Sequence, residues 1–303
     1  MKILAYFFLA GYLLSSCFVS KFSTSSFEIN KDSSSIFIGQ HAFNSVSKDL
    51  YAMINEVSNE QYQIFLEYCK KNGTYNEHKP DLGKFENGLS ADFVFGDSYF
   101  NSKKYNKYPV VGISYTSAQA YIKWLQDCFD SAAQKSNMEL NLEFKLPSKE
   151  EFLQAYTFGH KSKNLFPWGT QSLSNSLGCP LANFKYLNDW ALINVDTNTN
   201  LYKIIDPAKL PEKLANNYFW YVSQKSGKIG PAPVYSFMPN PAGIYNLAGN
   251  VSEMIEKEGC SVGGNWNSLG GFLNFKLLEE FNCNFVKSPF VGFRVFIKVK
   301  GVK

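Results

Sequence analysis

The chain has 303 residues, a formal net charge of +4 and 17% aromatic residues, with 27 Phe and 18 Tyr. That aromatic load argues for a packed core rather than disorder, and the length allows one large domain or two small ones. The positive charge forms no basic run and comes with no nucleic-acid motif, so nucleic acid is set aside as a partner. Six Cys without CxxC spacing, unpaired with His41, His78 or His160, argue against a disulfide-dense scaffold and a zinc site.

Lys2 precedes an apolar run, Ile3 to Leu14, followed by Leu14-Ser15-Ser16-Cys17. A charged start, a short apolar stretch and small residues describe a secretory signal peptide. As a helix the run reaches about 18 Å, short of the ~30 Å hydrocarbon core, and so is no spanning anchor. Leu-Ser-Ser-Cys resembles the bacterial lipobox, which implies lipid on Cys17 and a tether to the membrane worth about 0.8 kcal/mol per buried CH2. Residues 1–16 are thus expected to be a lipoprotein signal peptide and 17–35 a flexible Ser-rich tether.

Residues 36–303 read as one domain. Ile36-Phe37-Ile38-Gly39 and Leu50 to Ile54 are strand-like apolar runs. Ser58 with Gln61 fits a capping box, and Tyr62, Phe65, Leu66 and Cys69 form the stripe of a helix ending near Asn72-Gly73. Residues 74–107 read as a long polar loop. Thr116 with Gln119 is a second expected box, ahead of the stripe Ala118, Tyr121, Ile122, Leu125, Cys128 and Phe129, with Trp124 to one side. Phe144 to Pro147 is a strand entering a third box, Ser148 with Glu151, and a short helix that buries Phe152, Ala155 and Tyr156 and stops at Gly159. Phe166-Pro167-Trp168-Gly169 is a tight aromatic turn. Residues around 170–230 show no sustained period and read as an irregular insertion. Val291 to Ile297 alternates as a closing strand. The sum is an α+β domain.

Pro239 to Glu253 fits neither helix nor strand. It is rich in Pro, Gly and Asn, yet Ile244, Tyr245, Leu247, Ala248 and Val251 need burial. Buried irregular backbone must find polar partners. Two readings stand here: Asn side chains stitching the loop to its own backbone, or a hard cation held by Asn246, Glu253 and carbonyls between them.

Eight segments, taken in order, resemble the sulfatase-modifying-factor family of formylglycine-generating enzymes. They are Glu56 to Tyr62, Tyr108 to Tyr115, Ala118 to Tyr121, Lys145 to Phe152, Phe166 to Gly169, Gly243 to Glu253, Gly263-Gly264-Asn265-Trp266 and Gly292-Phe293-Arg294. The resemblance implies a modified C-type-lectin-like fold. It implies a structural calcium at Asn246, Gly249, Val251 and Glu253, and a second at Asn183 and Phe184 that has only Ser226 where an acid is expected. Family enzymes oxidise a substrate cysteine with two copper-holding thiols; soft thiolates suit Cu(I). Those two positions are Ser268 and Leu273 here, which implies no copper and no catalysis. Cys260 and Cys283 bracket the region and read as buried thiols or a disulfide.

Lipobox, fold and missing thiols together resemble the gliding-motility and type IX secretion lipoproteins. That implies a structural component on the periplasmic face of the outer membrane, with protein partners. The other reading is a ligand-binding module with Trp190, Tyr218, Trp220 and Tyr221 of the insertion stacking on sugar rings. An enzyme with chemistry relocated to Cys260 and Cys283 is the third.

Overall fold

The computed structural model describes residues 28–29, 35–38, 41–82, 99–135, 141–160, 166–184, 193–196, 201–204, 230–268, 270–273 and 286–300. Cys17, Trp190, Tyr218, Trp220, Tyr221, Ser226 and Cys283 lie outside them.

A six-stranded antiparallel sheet organises the chain. Its strands are β1 (Glu28–Ile29), β2 (Ser35–Ile38), β3 (His41–Ser45), β4 (Leu50–Met53), β5 (Asn141–Lys145) and β11 (Phe296–Lys300), in the order β1-β2-β3-β4-β11-β5. The closing strand therefore lies between β4 and β5, with Ile297 opposite Tyr51 on one side and Phe144 on the other. Strand alternation sends neighbouring side chains to opposite faces. Val295 and Ile297 enter one core, while Phe296 enters the other.

Helices cover the first face. In α1 (Asn59–Lys71), Tyr62, Phe65, Leu66 and Cys69 are buried, as the stripe predicts. Its Ser58–Gln61 capping box is formed on both sides. After a one-turn α2 (Tyr75–His78) comes α3 (Tyr115–Lys135), which buries Ala118, Tyr121, Ile122, Leu125 and Phe129. Trp124 is buried too, packing against Phe65 of α1 with centroids 5.7 Å apart. The expected Thr116–Gln119 box is not what starts α3. Ser114 Oγ accepts from Ser117 N–H at 3.1 Å, while Gln119 Nε2 donates to Tyr115 Oη. A Ser two positions earlier competes for the cap, and spacing alone does not rank the two.

The second face carries a short helix and long loops. α4 (Lys149–Tyr156) starts at the Ser148–Glu151 box and buries Phe152, Ala155 and Tyr156 against Leu50, Ala52 and Phe296. Phe166 and Trp168 stack at 4.9 Å in the expected aromatic turn. The 170–230 stretch is not wholly irregular: β6 (Ile193–Asp196) and β7 (Leu201–Ile204) form an antiparallel pair. Four-residue strands in polar surroundings give little periodic signal. A small three-stranded sheet lies beyond. In it β8 (Ser252–Met254) pairs antiparallel with β9 (Ser261–Val262) and parallel with β10 (Val291–Gly292). The predicted closing strand is thus broken in two, and Phe293, Arg294 and Val295 cross between the sheets.

Candidate functional site

The loop between residues 239 and 253 is held by Asn side chains. Asn240 Oδ1 accepts from Ala242 N–H (3.0 Å) and Ile244 N–H (2.9 Å), and its Nδ2 donates to Ala155 O (2.8 Å) at the end of α4. Asn246 and Asn250 adopt left-handed backbone, φ 54° and 61°. Asn tolerates that conformation better than other side-chain-bearing residues. Gly249 has no substitute: a Cβ there would lie 2.4 Å from Asn183 O. Ile244, Leu247, Ala248 and Val251 fill the space around the turn.

These turns aim polar groups inward, where Glu56 meets them from the β4–α1 connection. Asn250 Nδ2 donates to Glu56 Oε1 (2.8 Å) and Asn246 Nδ2 to Glu56 Oε2 (3.1 Å). The same amides reach Ala232 O and Val234 O. Asn250 Oδ1 accepts from Ala232 N–H (2.7 Å) and Asn183 Nδ2 (3.1 Å), and Asn183 Nδ2 also reaches Gly230 O (3.0 Å). Asn250, through Asn183 and Ala232, and Asn183, through Gly230 O, therefore tie the chain just before residue 185 to the chain at 230–232.

Glu253 and Arg294 sit beside this array, both with no solvent exposure. The guanidinium holds the carboxylate with two bonds of 2.5 Å, from Nε and Nη2, and donates further to Met53 O (3.1 Å) and Tyr245 O (2.8 Å). Four of its five possible donor directions are thereby used. Burial pushes the Glu56 carboxyl up to about 8; Glu253's charge adds to that, while Arg294 and the two Asn donors oppose it. At neutral pH the network therefore favours one ion pair and a protonated Glu56.

The calcium ligands implied by resemblance are brought together in sequence but not presented as a free oxygen set. Glu253, their single carboxylate, is committed to Arg294, and Asn246 turns its N–H groups toward Glu56 and Val234 O. Calcium takes six to eight oxygens. A dication here would also face Arg294; a unit pair 4 Å apart at an effective dielectric of about 20 already involves ~4 kcal/mol. As it stands, the donor set does not fit the ion. At the second expected position, Asn183 spends its Nδ2 on Gly230 O and Asn250, and the Phe184 ring is buried. Among the described residues no group of three or more His, Cys, Asp or Glu side chains could hold a metal.

The two thiol positions also meet, around Gly264. Ser268 Oγ accepts from Asn265 N–H at 3.0 Å, forming a small turn. Leu273 is fully buried, and its carbonyl accepts from Tyr156 Oη (2.5 Å). A Cβ on Gly264 (φ +69°) would lie 2.5 Å from Leu273 Cδ2 and 3.5 Å from Ser268 Oγ. A hydroxyl and an isobutyl group thus occupy the spot, and copper has no soft ligand there. Cys260 is buried and disulfide-bonded, while Cys69, Cys128 and Cys179 are free thiols. The disulfide leaves Cys260 no thiolate for the relocated chemistry.

A polar cavity of about 200 Å³ opens at the start of α1, lined by Asn55, Ser58, Glu60, Gln61, Lys107, Val234 and Tyr235. Lys107 and Glu60 form an ion pair at its rim, and Tyr235 is half-exposed. The sequence pointed instead to the insertion for ligand contact. Glu56, Asn250 and Arg294 lie inside the family-like segments, and the sequence expectation gives them no role. The available signal was an acid between Ile54 and Val57 and a lone Arg inside an apolar strand, each in need of a buried partner.

Residues 26–299 match the sulfatase-modifying factor enzyme 1-like domain. Among solved structures the chain is similar to CarF (16% identity, TM-score 0.47, covering 83% of this chain and 87% of that one). It is also similar to PvdO from Pseudomonas aeruginosa (16%, TM-score 0.45, 87% and 82%) and to Treponema denticola variable protein 1 (16%, TM-score 0.41, 82% and 84%). No curated protein matches it by sequence. With the α+β layers described above and a match over nearly its whole length, the chain belongs to the sulfatase-modifying factor family, with its C-type-lectin-like fold.

Proposed function

We propose that this chain is a non-catalytic member of the family, anchored by lipid on Cys17 at the periplasmic face of the outer membrane. There it serves as a structural component of a gliding-motility or type IX secretion assembly. One observation carries the loss of chemistry: Leu273 packs into the space beside Gly264 where a second thiol is needed, and Ser268 stands for the first. A buried carboxylate–Asn–Arg network with its hydrogen bonds made supports a rigid scaffold rather than a reactive centre. The lipobox supports the anchor. Among the described residues no helix is long and apolar enough to cross a membrane.

Three measurements test this reading. Incubation with copper and a cysteine-containing sulfatase peptide is expected to give no aldehyde mass shift; a shift that needs the protein overturns the loss of catalysis. Cys17→Ala is expected to release the protein from membranes, and full retention rules out the lipid anchor. Mild crosslinking in cells is expected to recover partners of a secretion or motility assembly, whereas recovery as a lone monomer counts against the scaffold role.

A ligand-binding role is the second reading. The cavity at Ser58, Lys107 and Tyr235 favours it, because it offers both charges and an aromatic face at one opening. Saturable binding of a small polar ligand, lost in Tyr235→Ala, would move the assignment there.

A further inference from the structure

We propose that Arg294 is the resident cation of the buried loop, and that the domain closes over Asn246 to Glu253 without a calcium ion. The guanidinium gathers two Glu253 carboxylate oxygens, the Tyr245 carbonyl of the loop and the Met53 carbonyl of β4. Those four oxygens come from two segments far apart in the chain, β4 and the 239–253 loop, and the guanidinium joins them from a third. Joining such segments through oxygen atoms is what a structural divalent ion does. Here a side chain does it, from the crossing between β10 and β11.

The geometry leaves little room for both cations. Two parallel N–H···O bonds match the planar fork to the carboxylate, the strongest arrangement available to that pair. An ion that drew Glu253 away would strand a fully buried guanidinium with only two carbonyl contacts. Asn246, the other side-chain ligand expected of a calcium site, uses its amide N–H groups on Glu56 Oε2 and Val234 O. Unlike a bound ion, the arginine is covalently present and always charged. The loop is thereby made independent of the calcium level around the protein.

The test uses the full-length protein, stripped with EGTA and then titrated with calcium chloride while bound metal and melting temperature are followed. The expected result is no stoichiometric calcium and a Tm change under about 1 °C. A site filled at a hundredfold excess over its dissociation constant would instead raise Tm by about 5–10 °C. One calcium per chain with such a rise, both lost in Asn246→Ala, overturns the proposal. Arg294→Met gives a second reading: Tm is expected to fall, and calcium is expected to restore part of the loss by taking the vacated place. If that variant does not fold, the calcium titration of the unaltered protein still decides.

Discussion

Two regions joined by backbone hydrogen bonds from Gly249 N–H to Gly263 O and from Trp266 N–H to Asn250 O have opposite contents. Around Gly264, Leu273 is buried against Tyr156 and Ser268 is turned into a local bend, so the place is packed. Around Asn246 and Asn250, six polar residues (Glu56, Asn183, Asn246, Asn250, Glu253 and Arg294) are buried with their hydrogen bonds made to one another and to backbone. A thiol pair is needed only for chemistry, and here one aliphatic side chain fills the space beside Gly264. The polar array closes irregular loops, and removing any member leaves another buried and unpaired. The difference separates buried groups that hold one another in place from a position that is filled by apolar packing alone.

Breaking the ion pair should separate the two regions most sharply. Glu253→Ala or Arg294→Ala is expected to cost about 3–5 kcal/mol, read as a lowered midpoint in urea unfolding. The double change Glu253→Leu/Arg294→Met should be milder than either single change, because no charge is left alone. A double variant as unstable as the sum of the singles would mean that the two residues act separately.

Leu273→Ala tests the packed region. Loss of a fully buried Leu is expected to cost about 2–5 kcal/mol. An effect under 1 kcal/mol would mean the space beside Gly264 is not filled as described. Ser268→Cys/Leu273→Cys should gain Cu(I) binding measurable by a chelator competition, while the ion-pair variants should not.

The pH dependence follows from Glu56. Its folded pKa, pushed up to about 8, exceeds the unfolded value, so the folded state binds the extra proton. The associated stability is complete below the unfolded carboxylate range and is lost as pH rises toward 8, by up to a few kcal/mol. Melting temperature should therefore fall between pH 5 and pH 8, and Glu56→Gln should flatten that fall. A profile unchanged by Glu56→Gln would place the proton elsewhere. On the acid side His41, lowered to about 4 by burial, acts in the opposite sense: stability present above pH 6.5 is lost as pH drops through 4.

The smallest effect is expected from the insertion. Gly230 and Asn183 are hydrogen-bonded to each other at its root. Replacing residues 185–229 by a short Gly-Ser linker should shift stability by about 2 kcal/mol or less, since loop closure depends only weakly on length. A collapse of cooperative unfolding would show that the network needs the insertion.

Much of the frame was legible as local chemistry. Ser58–Gln61 and Ser148–Glu151 form the predicted boxes because a cap and its partner are three residues apart in any helix. The stripe of α1 buries as its period requires, and so does that of α3 except that Cys128 is only partly buried and Trp124 is buried in addition. The site was legible only in part. Asn246 and Glu253 were singled out, and stitching by Asn side chains was one of the two readings of the loop, as Asn240 bears out. Glu56 and Arg294 were missed because their partners lie 190 and 41 residues away.

By itself the sequence determined the family, two of the three caps, most of the apolar faces and the absence of cysteine at residues 268 and 273, since all of these are properties of residue type and short spacing. Only the tertiary structure decided what meets inside. It set Arg294 rather than open space against Glu253, brought Glu56 under two Asn amides, and put Leu273 over Gly264. Those outcomes depend on how strands far apart in the chain cross, and a buried charge takes its role from the partner the crossing gives it.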